Sequence, residues 1–211
     1  MSLSPMMGQY QSVKNKYPNT ILMFRLGDFY EMFFDDAITV SRELDLTLTS
    51  RACGDKKRAP MCGVPHHAVQ SYIARLIKKG YKVAICEQME DPAQAKDIVA
   101  REVTRIVTGG TVTDAETLTE DKNNYLMSLY LDNDGVGAVW KDVSTSETYN
   151  YYIPCPIKVK LNDLLLRVAP SEIICNGKML AESVELSSVK FGNVCPMSQY
   201  DDDKFELDGA K

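Results

Sequence analysis

A polar stretch at residues 111–124 divides the chain into two halves that must build separate cores, because this stretch carries few apolar side chains. On both sides of it the apolar periodicity of helices and strands returns. A length of 211 residues is enough for two domains of ordinary size. We therefore predict a first domain at residues 1–110, a linker at 111–124 and a second domain at 125–211.

The first half has the pattern of a mixed α/β domain. Apolar residues recur at helical spacing, which predicts helices over residues 5–16, 28–44 and 68–79. Short apolar runs predict strands at residues 21–24, 81–86 and 103–107, with residues 46–48 as a further candidate. The stretch from Arg51 to Pro60 is basic, has no apolar period and is predicted to be a loop.

The second half begins with three predicted strands, which are followed by a helix and a further strand. Its pattern predicts strands at residues 125–131, 136–143 and 147–153, a helix at 158–168 and a strand at 172–175. The sequence Asn133-Asp134-Gly135 is typical of a tight hairpin turn between the first two strands. The expected fold class is therefore α/β in both halves.

Composition excludes several protein classes. Apolar residues make up 45% of the chain and charged residues 25%, the averages of globular proteins. No apolar run approaches the roughly 18 residues that span a bilayer, and a signal-peptide pattern is missing. The six cysteines form no C-x-x-C pair, which indicates reduced thiols and no metal site. We expect a cytoplasmic protein without a membrane partner.

Charge differs between the two halves. Residues 1–110 hold 15 Lys and Arg against 12 Asp and Glu, whereas residues 111–211 hold 9 against 17. A mildly basic first half can approach a polyanion, while an acidic second half favours protein partners. Ordinary surface variation is the alternative explanation of both balances.

Four sequence strings carry a resemblance to a known family. They are PMMGQY (5–10), FRLGDFYEMFFDDA (24–37), PMCGVPHHA (60–68), and GYKVAICEQMEDP (80–92) followed by TRIVTGGT (104–111). In this order and spacing they resemble the mismatch-recognition domain of the MutS family of DNA mismatch-repair proteins, over roughly the first 110 residues. One departure is Gly109, where the family usually has proline, a change that would loosen a turn at the domain boundary.

The second half resembles the MutS connector domain, through strand order and position alone. This resemblance implies a ribonuclease-H-like α/β fold, truncated here, that relays the DNA signal and contacts the partner protein MutL. It also implies a full-length homodimer that requires ATP and magnesium. The chain contains no G-x-x-x-x-G-K-[ST] phosphate loop, so we expect this part to bind no cofactor and to be no enzyme.

The family resemblance assigns a role to Phe29 and Glu31. It implies that Phe29 stacks into the mispaired step from the minor groove, and that Glu31 hydrogen-bonds the displaced base. A flat apolar side chain suits this task, because unstacking costs least where pairing is already poor. The expected partner is double-stranded DNA with mismatches or small insertion/deletion loops.

The residue pattern by itself offers another explanation of the same residues. Asp28 and Glu31 fit a helix capping box, and Phe29 would share a helical face with Met32 and Phe33. The nearby basic side chains are candidates for contacts with the DNA backbone, or they belong to a solvated loop. These backbone candidates are Arg51, Lys56, Lys57 and Arg58.

Three rival functions remain open at this stage. A thiol hydrolase would use Cys62 with His66 or His67. A module that binds only protein would rely on the acidic second half. A metal-dependent nuclease would need clustered carboxylates, for which the candidates are Asp28, Asp35, Asp36, Asp132, Asp134 and Asp142.

Overall fold

The structure is a computed structural model that describes residues 3–54, 57–90, 98–111, 123–186 and 195–206. The chain divides into two compact units, Met1–Thr108 and Gly109–Lys211. Most of the predicted linker, residues 112–122, lies outside the described residues. None of the helices in the described ranges is long and apolar enough to cross a membrane.

In its described residues unit 1 is a six-stranded mixed sheet with three α-helices, as expected for a mixed α/β domain. The strand order is β3-β4-β2-β1-β5-β6, in which β1 and β5 are parallel and all other neighbours antiparallel. The elements are α1 (Pro5–Lys16), β1 (Ile21–Leu26), β2 (Phe29–Phe33), α2 (Phe34–Leu44), β3 (Thr49–Gly54), β4 (Lys57–Pro65), α3 (Val69–Lys78), β5 (Val83–Gln88) and β6 (Arg101–Val107).

The two faces of this sheet are covered by different helices. On one face the Tyr10 ring of α1 meets the rings of Phe24 and Phe33 edge-on, at centroid distances of 5.4 and 5.0 Å. On the other face the Cys62 thiol of β4 lies 3.5 Å from the Ala37 carbonyl oxygen of α2. Burial on both sides explains why most of the strands of unit 1 read as apolar runs in the sequence.

The segment that carries Phe29 is a strand, so the predicted helix start at Asp28 is wrong. Phe29 pairs with Leu26, and Glu31 with Phe24, across a turn formed by Gly27 and Asp28. Gly27 has φ +60°, which glycine adopts without steric cost. The helix begins only at Phe34, after the strand has ended. Asp28 therefore caps no helix, and the capping-box explanation of Glu31 is excluded.

The basic segment predicted as a loop is also sheet. β3 and β4 form an antiparallel hairpin in which Arg51 pairs with Ala59, while the strand expected at residues 46–48 is absent. The error has a physical cause, since β3 lies at the sheet edge and lacks an apolar alternation, while β4 begins with Lys57 and Arg58. Lys56 lies outside the described residues.

Unit 2 is a five-stranded mixed sheet with the order β11-β10-β7-β8-β9. Strands β7, β8 and β9 are antiparallel, and β10 and β11 extend the sheet in parallel with β7. The elements are β7 (Tyr125–Leu131), β8 (Gly135–Asp142), β9 (Thr148–Pro154), α4 (Lys158–Val168), β10 (Glu172–Cys175), α5 (Gly177–Leu186) and β11 (Met197–Gln199).

This topology agrees with the ribonuclease-H-like α/β fold expected for the second half. The predicted β-β-β-α-β order is confirmed and continues into α5 and β11, which the sequence patterns did not indicate. Gly109 approaches the Ser171 carbonyl oxygen so closely that an added Cβ would collide with it. Close packing therefore accounts for glycine at this position.

The Asp36 side chain of α2 links this helix to α1 and to β1 in unit 1. It is 6% exposed, and its carboxylate accepts hydrogen bonds from the Tyr10 hydroxyl (3.2 Å), the Leu22 amide (3.0 Å) and the Lys14 ammonium (2.9 Å). Burial, together with the negative charge of Asp36, raises the pKa of Tyr10. The buried carboxylate is thus paired and hydrogen-bonded, as a buried charge must be.

We predict that Asp36→Ala lowers the free energy of unfolding of unit 1 by about 3 kcal/mol, because it leaves Lys14 and the Leu22 amide without their acceptor. The neighbouring Asp35 is exposed, so Asp35→Ala should cost about 0.5 kcal/mol or less. Urea-dependent alkylation of the buried thiols Cys62 and Cys86 reports on this unit alone. Equal losses for the two variants would contradict the role of Asp36.

Candidate nucleic-acid interface

Phe29 is the first residue after the hairpin turn, and its side chain is 47% exposed. The turn is held from β4, because the His66 amide donates to the Asp28 carbonyl oxygen at 2.8 Å. Phe29 also pairs with Pro65 across the β2–β4 ladder. An exposed aromatic ring therefore stands at a corner whose backbone is fixed on both sides.

Glu31 lies on the same face of β2 as Phe29, since side chains two apart along a strand point the same way. Its neighbour on β4 is Gly63, which leaves this face open. A Cβ added at Gly63 would lie 3.5 Å from Glu31 Cγ and 3.7 Å from Phe29 Cδ1. An aromatic ring and a carboxylate thus flank one small gap, and we call Phe29 and Glu31 the reading site.

Tyr30 points to the opposite face and is 4% exposed. Its hydroxyl hydrogen-bonds Glu87, and the Arg25 guanidinium lies 5.5 Å from its ring centroid. Burial, with the hydrogen bond to Glu87, raises the pKa of Tyr30 to about 12. Tyr30 is a packed side chain within unit 1 and not a second exposed aromatic.

Of the four basic residues predicted to contact the DNA backbone, the three that the structure describes have different surroundings. The Arg51 guanidinium forms an ion pair with Glu31, with Nη1 2.5 Å from Oε2. Arg58 instead binds Ser50, through its hydroxyl at 2.7 Å and its carbonyl oxygen at 2.5 Å. Lys57 is exposed on β4, whereas Lys56 lies outside the described residues. Of the described candidates, Arg51 alone contacts the reading site directly.

Arg101 adds a buried cation on the same face of the sheet. Its guanidinium lies 5.1 Å from the Phe24 ring centroid and donates to the Arg25 carbonyl oxygen (2.7 Å) and to the Gln9 side chain (2.9 Å). Burial lowers the pKa of Arg101, and the positive charge of Arg51 acts in the same direction. Its partners Arg25 and Gln9 lie on β1 and α1, 76 and 92 residues away in the sequence, so no local pattern could have placed Arg101 here.

Comparison with known proteins identifies the family. The family model for MutS domain I matches residues 4–116, which is more than half of the chain. This chain belongs to the MutS family. The strings that predicted the resemblance, and both residues of the reading site, lie within the matched range.

Three relatives named DNA mismatch repair protein MutS are similar over most of this chain. That of Acetivibrio thermocellus is 56% identical over 178 residues, covering 84% of this chain and 20% of the relative. That of Ruminiclostridium cellulolyticum is 50% identical over 206 residues, covering 97% and 24%. That of Clostridioides difficile is 53% identical over 174 residues, covering 82% and 18%. The chain thus spans about a fifth of the length of these MutS relatives.

The carboxylates proposed for a metal-dependent nuclease do not cluster into a metal site in the described part of this MutS-family chain. Asp36 is committed to its buried network, and Asp132 accepts the amides of Asp134 and Gly135 at 2.8 and 2.9 Å within a turn. Asp142 likewise binds the Ser144 hydroxyl at 2.6 Å. In the described part of the chain no group of three or more His, Cys, Asp or Glu side chains could hold a metal ion.

The thiol-hydrolase hypothesis fails on geometry and acidity. Cys62 is fully buried against α2, and burial raises the pKa of its thiol to about 12. A thiol with this pKa is almost entirely protonated at neutral pH, whereas the thiolate is the nucleophile. His66 lies at the surface, where its Nδ1 is 3.3 Å from the Asp28 carbonyl oxygen. The two side chains do not form a nucleophile and base pair.

Proposed function

We propose that unit 1 recognises mispaired or unpaired bases in double-stranded DNA through the reading site. In this proposal Phe29 enters the base stack from the minor groove, and Glu31 hydrogen-bonds the displaced base. The observation that carries the proposal is the exposed ring of Phe29 beside the Glu31 carboxylate, on one face of a fixed hairpin. Membership of the MutS family supports it.

The hairpin suits a side chain that must push between bases. A ring at a tight corner projects beyond the body of the sheet, and the two flanking ladders resist its displacement. Apolar side chains unstack base steps from the minor groove at a cost of a few kcal/mol, which is lowest where pairing is already poor. Discrimination then comes from the mechanics of the DNA and not from its sequence.

Phe29 and Glu31 divide the task between them. Stacking on an aromatic ring contributes about 1–3 kcal/mol per base and accepts any base, so Phe29 supplies affinity for many lesions. Glu31 supplies a directional contact, because an ionised carboxylate accepts from a ring N–H and a protonated one donates to a purine N7. Its charge also repels the phosphates of ordinary duplex.

The β3–β4 hairpin is proposed to hold the DNA backbone. Lys57 and Arg58 lie on β4, the strand beside β2, where cations can pair with phosphates and keep Phe29 in register, whereas Arg51 of β3 is engaged by Glu31. Such contacts add affinity without information about the mismatch. Lys56 is retained as a fourth candidate from the sequence.

Several functions expected of the family are proposed to reside in the part of MutS relatives that this chain does not span. We assign ATP binding with magnesium, and homodimer formation, to the portion of MutS relatives beyond the fifth that the chain spans. For unit 2 we propose contact with MutL. The supporting observation is the edge strand β9, whose tyrosines Tyr149, Tyr151 and Tyr152 are 42–52% exposed, because tyrosine is enriched at protein interfaces.

We predict that Phe29→Ala in the full-length protein brings the ratio of affinities for a G·T mismatch and a matched duplex close to one, because no ring remains to test the stack. Glu31→Ala should also lower this ratio but raise the affinity for matched duplex, since a repulsive charge is removed. The measurement is equilibrium binding to labelled duplexes at one fixed salt concentration.

The matched control for Phe29→Ala is Ile38→Ala, which removes an equally exposed apolar side chain from α2. This variant should keep the wild-type ratio. Undiminished discrimination in Phe29→Ala would overturn the proposed function.

The MutL proposal has its own test in the full-length protein. We predict that Tyr151→Ser weakens MutL binding about tenfold, as loss of a central interface aromatic does. Val159→Ser on α4 is the control, because Val159 is 72% exposed and lies on another element. Equal MutL affinity for Tyr151→Ser and wild type would remove β9 from the proposed interface.

A further inference from the structure

The ion pair between Arg51 and Glu31 joins two strands that are not neighbours in the sheet. We propose that Arg51 is a positioning residue for Glu31, and that it biases the reading site toward displaced bases carrying a ring N–H, namely thymine and guanine. This inference rests on the proposed function of Glu31. It adds a selectivity residue on β3 and a preferred class of base.

The geometry of the Arg51–Glu31 pair depends on small residues in β4, the strand that lies between β3 and β2. β4 separates β3 from β2, and it places Ala59 opposite Arg51 and Gly63 opposite Glu31. With little side-chain volume at these two positions, the arginine can cross β4 and bring Nη1 to within 2.5 Å of Oε2. The Glu31 side chain is consequently only 15% exposed, although it lies on an open face.

Electrostatics favour this partner for Arg51. Arg101 is a second guanidinium on the same face, and its positive charge repels Arg51. Glu31 is the carboxylate that Arg51 contacts, at the distance of a charge-assisted hydrogen bond. Arg51 therefore holds the Oε2 oxygen of Glu31, and in our proposal the other oxygen accepts from the displaced base.

The pairing determines what the free oxygen can bind. An ion pair with arginine requires the carboxylate form of Glu31, and a carboxylate only accepts hydrogen bonds. The displaced base must then donate. Thymine N3–H and guanine N1–H are ring donors that meet this requirement, whereas adenine and cytosine donate only through exocyclic amino groups on the major-groove edge, away from an entry through the minor groove. Reading a purine N7 needs a protonated carboxyl, which carries no charge and so cannot form this ion pair.

The test compares two duplexes, one with a single unpaired thymine and one with a single unpaired adenine, bound to the full-length protein. The quantity is the ratio of the two affinities. We predict that Arg51→Gln lowers the thymine-to-adenine ratio about tenfold, the effect of losing the orientation of one hydrogen bond to a charged group. Arg51→Lys should recover part of the ratio, because it restores the charge without the planar fork.

Arg58→Gln is the matched control, since Arg58 belongs to the same hairpin but binds Ser50 and not Glu31. It should weaken binding to both duplexes alike and leave the ratio unchanged. In a Glu31→Gln background, Arg51→Gln should not change the ratio further, because no carboxylate remains to be held. This loss of effect distinguishes positioning from an independent phosphate contact.

Two results would overturn the inference. One is an unchanged thymine-to-adenine ratio in Arg51→Gln, and the other is the same change of ratio with and without the Glu31 carboxylate. If the proposed function of the reading site were wrong, the result would differ: Phe29→Ala would still bind both duplexes with an unpaired base more tightly than matched duplex. Thermal unfolding of each variant shows whether the fold is retained, and we expect a small change because the Arg51 partner of the pair is 43% exposed.

Discussion

The antiparallel pairing of β1 with β2 sets which side chains between Phe29 and Phe33 meet solvent. A strand alternates its side chains between two faces, so Phe29 and Glu31 share one face while Tyr30 and Met32 are buried on the other. A helix over the same residues would have placed the phenylalanine and the carboxylate on different sides. The proposed chemistry therefore depends on this hairpin more than on either residue alone.

The core beneath the hairpin makes it rigid. Phe33, at the end of β2, packs against Tyr10, and the Tyr10 hydroxyl reaches the buried carboxylate of Asp36. That carboxylate also accepts from β1 and from Lys14 of α1. Force on an inserted ring would thus be carried by a connected network of packing and hydrogen bonds. Rigid support of this kind is what a side chain needs in order to deform DNA instead of yielding to it.

Local patterns predicted most of the elements but not the reading site's conformation. The bounds of α1, α4, β7 and β10 match the sequence periodicity, because each has a clear apolar pattern of its own. Phe29, Met32 and Phe33 fit a helical spacing equally well, and only pairing with β1 and β4 decides for a strand. The Arg51–Glu31 pair depends on register across three strands, which no local pattern encodes. Phe29 and Glu31 were singled out only because the surrounding sequence segments resemble the MutS family.

The insertion of Phe29 into the base stack is tested most directly by photo-crosslinking. A duplex with 5-iodouracil mispaired to guanine would be irradiated in complex with the full-length protein, and the attached residue mapped by mass spectrometry. Our account predicts attachment at Phe29 with the mispaired base and little attachment there when the same 5-iodouracil is paired with adenine. Attachment at another residue, or equal attachment in both duplexes, would contradict it.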